Sequence, residues 1–340
     1  MKLRSQLRRL AATTALAAAF TAPALAQERP ATVTIGYLNL VNAQLLAKGL
    51  GLHEKELGTN VKWIKFGSGG DVNRAFTANQ LDFGGVGNPP ASIGVTRELP
   101  YEGIFVLNLL GSVEALAVRK SKNIETLKDL RGKTAAAPFG STTHYLLIAA
   151  LRDAGVDPNE VKLIDLNPSD AAAAWLRGDI DAAYIWEPNL DKLVQNGGRI
   201  LTHSDELARR GYPTWDVSVV TKEFAAKHPD LVTKFVKSEC AAVDYWIAKP
   251  EESAQIIARE LSLPVEDARR MMKGTRVVPC SEQVKAHLLG SSAKKGQFVD
   301  TLLSTATFLH DQKRLPAVKE RAAYEAFINP VYIERHLAGK

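Results

Sequence analysis

The chain has 340 residues, 46% hydrophobic and 24% charged, which excludes a disordered tail, a collagen and a disulfide-dense miniprotein and leaves room for about two domains. The formal charge of +6 is a poor sign of nucleic-acid binding. Residues 1–26 carry Lys2, Arg4, Arg8 and Arg9 and no acid, so the rest of the chain stands at only +2.

Residues 1–10 are basic, 11–20 are apolar and small, and Ala24-Leu25-Ala26 is a small-x-small cleavage pattern. This predicts a Sec-type signal over 1–26, removed after Ala26, and a bacterial periplasmic destination. The apolar run is shorter than the roughly 20 residues of a membrane span. Next, 33–37 (VTIGY) reads as a strand, 41–50 as a helix, 61–66 (VKWIKF) as a strand, 71–79 as a helix and 81–86 (LDFGGV) as a strand. The same order returns with 133–137 (KTAAA), a helix over 142–154, 161–165 (VKLID), a helix over 169–177 and 181–185 (DAAYI). Even the approach to the third strand repeats: Ala78-Asn79-Gln80-Leu81-Asp82 matches Arg177-Gly178-Asp179-Ile180-Asp181. Two βαβαβ units predict an α/β fold of two lobes, each a mostly parallel sheet flanked by helices, with one cleft at the strand C-termini. The remainder reads as helices over 222–248, 251–261, 264–273, 282–289, 296–312 and 316–327, packed back on the first lobe. Crossovers near 115–119 and 217–220 would then form a hinge. Lobe 1 is expected over 27–116 plus 220–340, and lobe 2 over 117–219.

Three stretches fall at strand ends. Pro138-Phe139-Gly140-Ser141-Thr142-Thr143-His144-Tyr145 leads into a helix whose capped N-terminus offers free N–H groups, with three hydroxyls beside them. It is either an anion site or a plain cap. Gly84-Gly85-Val86-Gly87-Asn88-Pro89-Pro90 allows close backbone approach but lacks both nucleotide-loop patterns. Tyr184-Ile185-Trp186-Glu187-Pro188 puts an aromatic at the equivalent end of the second unit, as a pocket wall or as core. Glu114 and Asp216 lie in apolar strand-like runs, Val113–Val118 and Asp216–Val220. Once buried, each needs a partner: a backbone donor, an arginine or a ligand ammonium. No GxSxG elbow or HExxH motif is present, and the other histidines are scattered, so binding is favoured over catalysis. Cys240 and Cys280, with no CxxC pattern, are either a disulfide or two buried thiols, and a poor zinc site.

The segments VTIGY, VKWIKFGSGGDVNRAF, SVEALAV, PFGSTTHYLLIAAL, AAWLRGDIDAAYIWEP, PTWDVSVV and FAAKHPDLV, kept in order and spacing, make the chain resemble the periplasmic taurine-binding proteins of ABC importers, within the wider sulfonate and nitrate type of solute-binding protein. The resemblance spans most of the mature chain. It implies a type II-like two-lobed binding protein that captures taurine between its lobes, without cofactor, metal or nucleic acid, and delivers it as a monomer to an inner-membrane permease with its ATPase. It also implies that Ser141, Thr142, Thr143 and the Gly87–Asn88 backbone hold the sulfonate, that Glu114 and Asp216 hold the ammonium, and that Trp186 packs on the ethylene bridge. Tyr37 and His144 are secondary candidates, His144 as loop support. Asn88-Pro89-Pro90 stands where the family has a Ser-Ser-Pro pattern. Glu187 stands where a small residue is expected, adding an acid that either favours a more cationic ligand or simply faces solvent. The alternatives are another alkanesulfonate or small amine-containing solute, a desulfinase-like enzyme on the same scaffold, and a sensor that partners a membrane kinase.

Overall fold

A computed structural model describes residues 29–339, so the predicted signal and its cleavage site lie outside the described residues. The strands are β1 (Thr32–Leu38), β2 (Asn60–Phe66), β3 (Phe83–Gly87), β4 (Tyr101–Leu110), β5 (Glu114–Arg119), β6 (Thr134–Ala137), β7 (Lys162–Asp165), β8 (Ala182–Trp186), β9 (Gly198–His203), β10 (Trp215–Thr221) and β11 (Thr275–Arg276). They form one sheet ordered β11-β4-β10-β3-β1-β2 and another ordered β7-β6-β8-β5-β9. The two predicted units are both present. In each, the first strand runs parallel between the other two, as β2-β1-β3 and as β7-β6-β8. The matched turns before the third strands adopt the same left-handed backbone, at Asn79 (φ 51°) and Gly178 (φ 87°). Asparagine and glycine are the residues that tolerate it.

The crossovers differ from expectation. Residues 115–119 belong to β5, which lies between β8 and β9 and antiparallel to both. Residues 217–220 belong to β10, which lies between β3 and β4 and antiparallel to both. The chain therefore passes between sheets at 111–113 and returns at 210–214. By sheet membership the second lobe begins at Glu114 and the first resumes at Trp215, not at 117 and 220. The reason is burial. Both runs are apolar on alternate and intervening positions alike, and such a run satisfies its backbone only inside a sheet.

The reversed strands set up the site. The C-terminal ends of parallel strands form the ligand edge of an α/β sheet. A strand inserted antiparallel starts at that same edge. Glu114, first in β5, is thus paired with Trp186 at the end of β8, and Asp216, second in β10, with Gly87 at the end of β3.

In the tail, the predicted 222–248 helix breaks at His228 into Lys222–Lys227 and Pro229–Ala248, because Pro229 has no N–H to continue the ladder. The predicted 282–289 helix is only Cys280–Gln283, and a further helix, Val331–Leu337, closes the chain. Phe235 stacks on Phe83 of β3 at 4.1 Å, fixing the Pro229 helix to the first sheet. Cys240 and Cys280 are disulfide-bonded, Cα atoms 5.6 Å apart, in that same core. The helix Phe298–Asp311 covers the Asn88–Thr96 helix, with Phe298 stacked on Trp215 at 4.1 Å, and it also reaches the second lobe through Phe308 and Tyr145. Among the described residues no helix is long and apolar enough to cross a membrane.

Candidate functional site

Three helices begin at one point between the sheets. Gly69–Thr77 is capped by Ser68, whose hydroxyl accepts from Asp71 N. Asn88–Thr96 starts after Gly87. Thr142–Asp153 is capped by Ser141, whose hydroxyl accepts from His144 N. Gly69, Gly87, Pro90, Ser141 and Thr142 wall one cavity, together with Glu114, Asp216, Trp186, Leu38 and Leu40. Helix N-termini carry unpaired N–H groups and partial positive charge, so this wall attracts an anion. Pro89 and Pro90 delete two of the donors that the Asn88 helix would otherwise present. The Gly69 and Thr142 helices therefore supply most of them.

The opposite character comes from the two acids. Both are almost fully buried, Glu114 at 2% and Asp216 at 5% exposure. The Glu114 carboxylate accepts from Thr142 Oγ1 at 2.5 Å and Ser204 Oγ at 3.1 Å. Asp216 accepts from Asn108 Nδ2 at 3.2 Å. Burial, and then the like charge of Asp216, raise the Glu114 pKa to about 8; burial raises that of Asp216 to about 7. Among the described residues no arginine or lysine lines this cavity. Of the partners open to a buried acid, the described residues supply neutral donors only.

The hydroxyls expected to bind the anion are already committed. Ser141 Oγ donates to Pro138 O at 2.6 Å, Thr142 Oγ1 donates to Glu114, and the fully buried Thr143 hydroxyl pairs with Ser141 Oγ at 2.9 Å. Backbone amides remain as the anion donors. The Asn88 side chain turns from the cavity: it donates to Thr305 Oγ1 and Pro213 O and accepts from Trp215 N. Tyr37 lies outside the cavity, edge-on to Trp63. Glu187 also lies outside it. Its Oε2 accepts from Asp191 N and its Oε1 is 3.9 Å from Arg270, so the added acid faces the other lobe's helix Val265–Met272. Burial raises its pKa to about 7. His144 faces a different cavity. Three wall residues escaped the sequence reading: Gly69, Leu38 and Leu40. A signal for Gly69 existed in Ser68-Gly69-Gly70-Asp71, a cap followed by two residues without side chains; the two leucines carry none.

The lobes meet closely here. A Cβ on Gly87 would collide with Thr142 Cγ2 of the other lobe. The cavity volume is about 10 Å³, close to what one water requires, so a larger guest enters by parting the lobes.

Residues 43–253 match the family model described as NMT1/THI5 like. The chain is 36% identical over 298 residues to the taurine-binding periplasmic protein of Escherichia coli, covering 86% of this chain and 90% of that one. Its fold is similar to that of the alkanesulfonate-binding protein SsuA from Xanthomonas axonopodis pv. citri bound to MOPS, with a TM-score of 0.75 and 24% identity over 87% of this chain and 98% of that one. The scaffold is shared with the desulfurization enzyme DszB, with a TM-score of 0.65 and 16% identity over 91% of this chain and 99% of that one.

Proposed function

The chain belongs to the NMT1/THI5-like family and to its periplasmic taurine- and sulfonate-binding proteins, and on that premise we propose that it captures taurine between its lobes and delivers it to an ABC importer. One observation supports this most. A single small cavity joins helix N-termini, which suit a permanent anion, to two buried acids that lack a cationic partner. Taurine carries a sulfonate and an ammonium two carbons apart. The sulfonate takes the amides of the Gly69 and Thr142 helices and the Gly87–Asn88 backbone. The ammonium lies between Glu114 and Asp216, where it relieves their mutual repulsion. Trp186, Leu38 and Leu40 cover the ethylene bridge. The sulfonate is ionised at every physiological pH, so fixed N–H dipoles serve it better than a titrating side chain.

Binding draws the lobes together, because each supplies one acid and at least one helix terminus. The closed form is what an inner-membrane permease and its ATPase would recognise, in the periplasm. Catalysis is disfavoured. The described cysteines are bonded to each other in the first lobe's core, so neither offers the cavity a thiol nucleophile.

Calorimetry on the chain from residue 27, stripped of bound solute by unfolding and refolding, tests this reading. Taurine should bind tightly and ethanesulfonate, which lacks the amine, at least a hundredfold more weakly. Equal affinity would remove the ammonium from the site and favour an alkanesulfonate receptor. No heat from either would leave the fold standing and the cargo wrong.

A further inference from the structure

His144 was a candidate for the ligand site, yet it serves a second cavity. That space, about 340 Å³, lies between the lobes and is lined in part by Gly70 and Phe139, where a Cβ on Gly70 would sit 3.3 Å from Phe139 O. Lobe 1 contributes Arg74 and Arg97 to its wall, the helical tail contributes Arg314, and lobe 2 contributes His144 and Asp165. Arg74 is paired with Asp71. Among the described residues Arg97 and Arg314 have no acidic partner, and Asp165 is occupied in accepting from Phe139 N at 2.8 Å. Three arginines against one aspartate make the wall cationic.

His144 itself is 4% exposed, and its ring stacks on Phe139 at 4.4 Å. Gly140 N donates to its Nδ1 at 3.2 Å, which places the ring proton on Nε2. Among the described residues that Nε2–H has no hydrogen-bond partner. Burial and the nearby Arg314 charge lower the pKa to about 4, so the ring is a neutral donor near pH 7. A buried donor without an acceptor is costly. An acceptor anion beside two unpaired guanidinium groups removes that cost.

We propose that this cavity is a second anion site, which takes a small oxyanion between Arg97 and Arg314 on one side and His144 Nε2–H on the other. The shared chemistry is a tetrahedral oxyanion, supplied either by inorganic sulfate or by the head of a second sulfonate. Because its donors come from both lobes, occupancy favours closure. The proposal rests on His144 and the arginines, and does not require taurine to be the cargo.

Histidine-selective ¹⁵N NMR of the mature protein reads it directly. Sulfate and, separately, ethanesulfonate are titrated at constant ionic strength, with and without saturating taurine, against a sodium chloride control. The expected result is a saturable shift of the His144 Nε2 signal that persists when taurine fills the first site. It should weaken at least tenfold in Arg97→Gln/Arg314→Gln, while heat of taurine binding is kept. Either single variant, each changing an exposed side chain, replaces the double one if that folds poorly. A response to sulfate alone identifies an inorganic ion; a response to ethanesulfonate alone identifies a sulfonate head. A shift that is linear, equalled by chloride, abolished by taurine or unchanged in the variants overturns the proposal. Loss of taurine binding with a surviving sulfate response would instead count against the proposed cargo alone.

Discussion

In the first lobe the helix at the cleft starts Asn88-Pro89-Pro90, its N-terminal side chain tied down to Thr305, Pro213 and Trp215. In the second it starts Thr142-Thr143-His144 after the Ser141 cap, with every residue of the first turn keeping its N–H. The acids differ in the same way. Glu114 of the second lobe has two hydroxyl donors and Asp216 of the first has one amide donor. The second lobe thus presents a full set of helix N–H groups and an oriented carboxyl at once. The first offers the Gly69 helix, the less supported acid and most of the apolar wall. It is also the lobe stapled by a disulfide and wrapped by the C-terminal helices. Equivalent strand order sets equivalent positions, and the residues placed there divide the labour.

The largest expected effect comes from neutralising the acids. Glu114→Gln and Asp216→Asn should each weaken taurine by about 2–5 kcal/mol, while ethanesulfonate changes little or tightens. Glu114 should show the larger loss, since Thr142 and Ser204 fix its orientation. Calorimetry with both ligands decides it, and equal losses for both would break the assignment of the ammonium.

Next in size is the disulfide, which only the first lobe has. Replacing Cys240 and Cys280 by serine should cost about 2–4 kcal/mol of unfolding free energy for a loop of 40 residues, with taurine affinity unchanged. Denaturant titration alongside calorimetry separates the two readouts.

A pH effect follows from the raised carboxyls. Without ligand, Glu114 stays largely protonated up to about pH 8 and Asp216 up to about 7. An arriving ammonium favours both ionised forms, so protons are released on binding. Taurine affinity should therefore rise from pH 5.5 to 7.5, by about tenfold per pH unit for each proton released. Ethanesulfonate should show no such rise. Binding heats in phosphate and Tris at pH 7 count the protons, and a count of zero would contradict shared ownership of the ammonium.

The smallest effect concerns closure. Arg270 of the first lobe lies 3.1 Å from Asp191 and 3.9 Å from Glu187 of the second. Half-exposed pairs of this kind contribute about 0.2–1 kcal/mol. Arg270→Ala should weaken taurine and ethanesulfonate alike, by about fivefold or less. Small-angle scattering should show fewer closed molecules, and the deficit should shrink in high salt.

Much was legible in the chain itself. The order of strands and helices in both βαβαβ units follows from local patterns: apolar runs of strand length, the Ser141 cap, and the matched turns at Asn79 and Gly178. These are properties of neighbouring residues, so a sequence carries them openly. The broken helix at Pro229 is equally local, since a proline has no N–H to continue the ladder.

What the tertiary structure decided depends on residues far apart. The runs at 115–119 and 217–220 carry the pattern of strands, but only packing shows that each enters a sheet antiparallel and so brings Glu114 and Asp216 to the ligand edge. The Thr142 hydroxyl is spent on Glu114, 28 residues away, and Asn88 on Thr305, 217 residues away. Glu187 meets Arg270, Cys240 meets Cys280, and His144 turns to a second cavity. Side-chain chemistry in a sequence states what a residue can donate or accept. Which partner satisfies it is fixed only when folding excludes water and leaves one acceptor within reach.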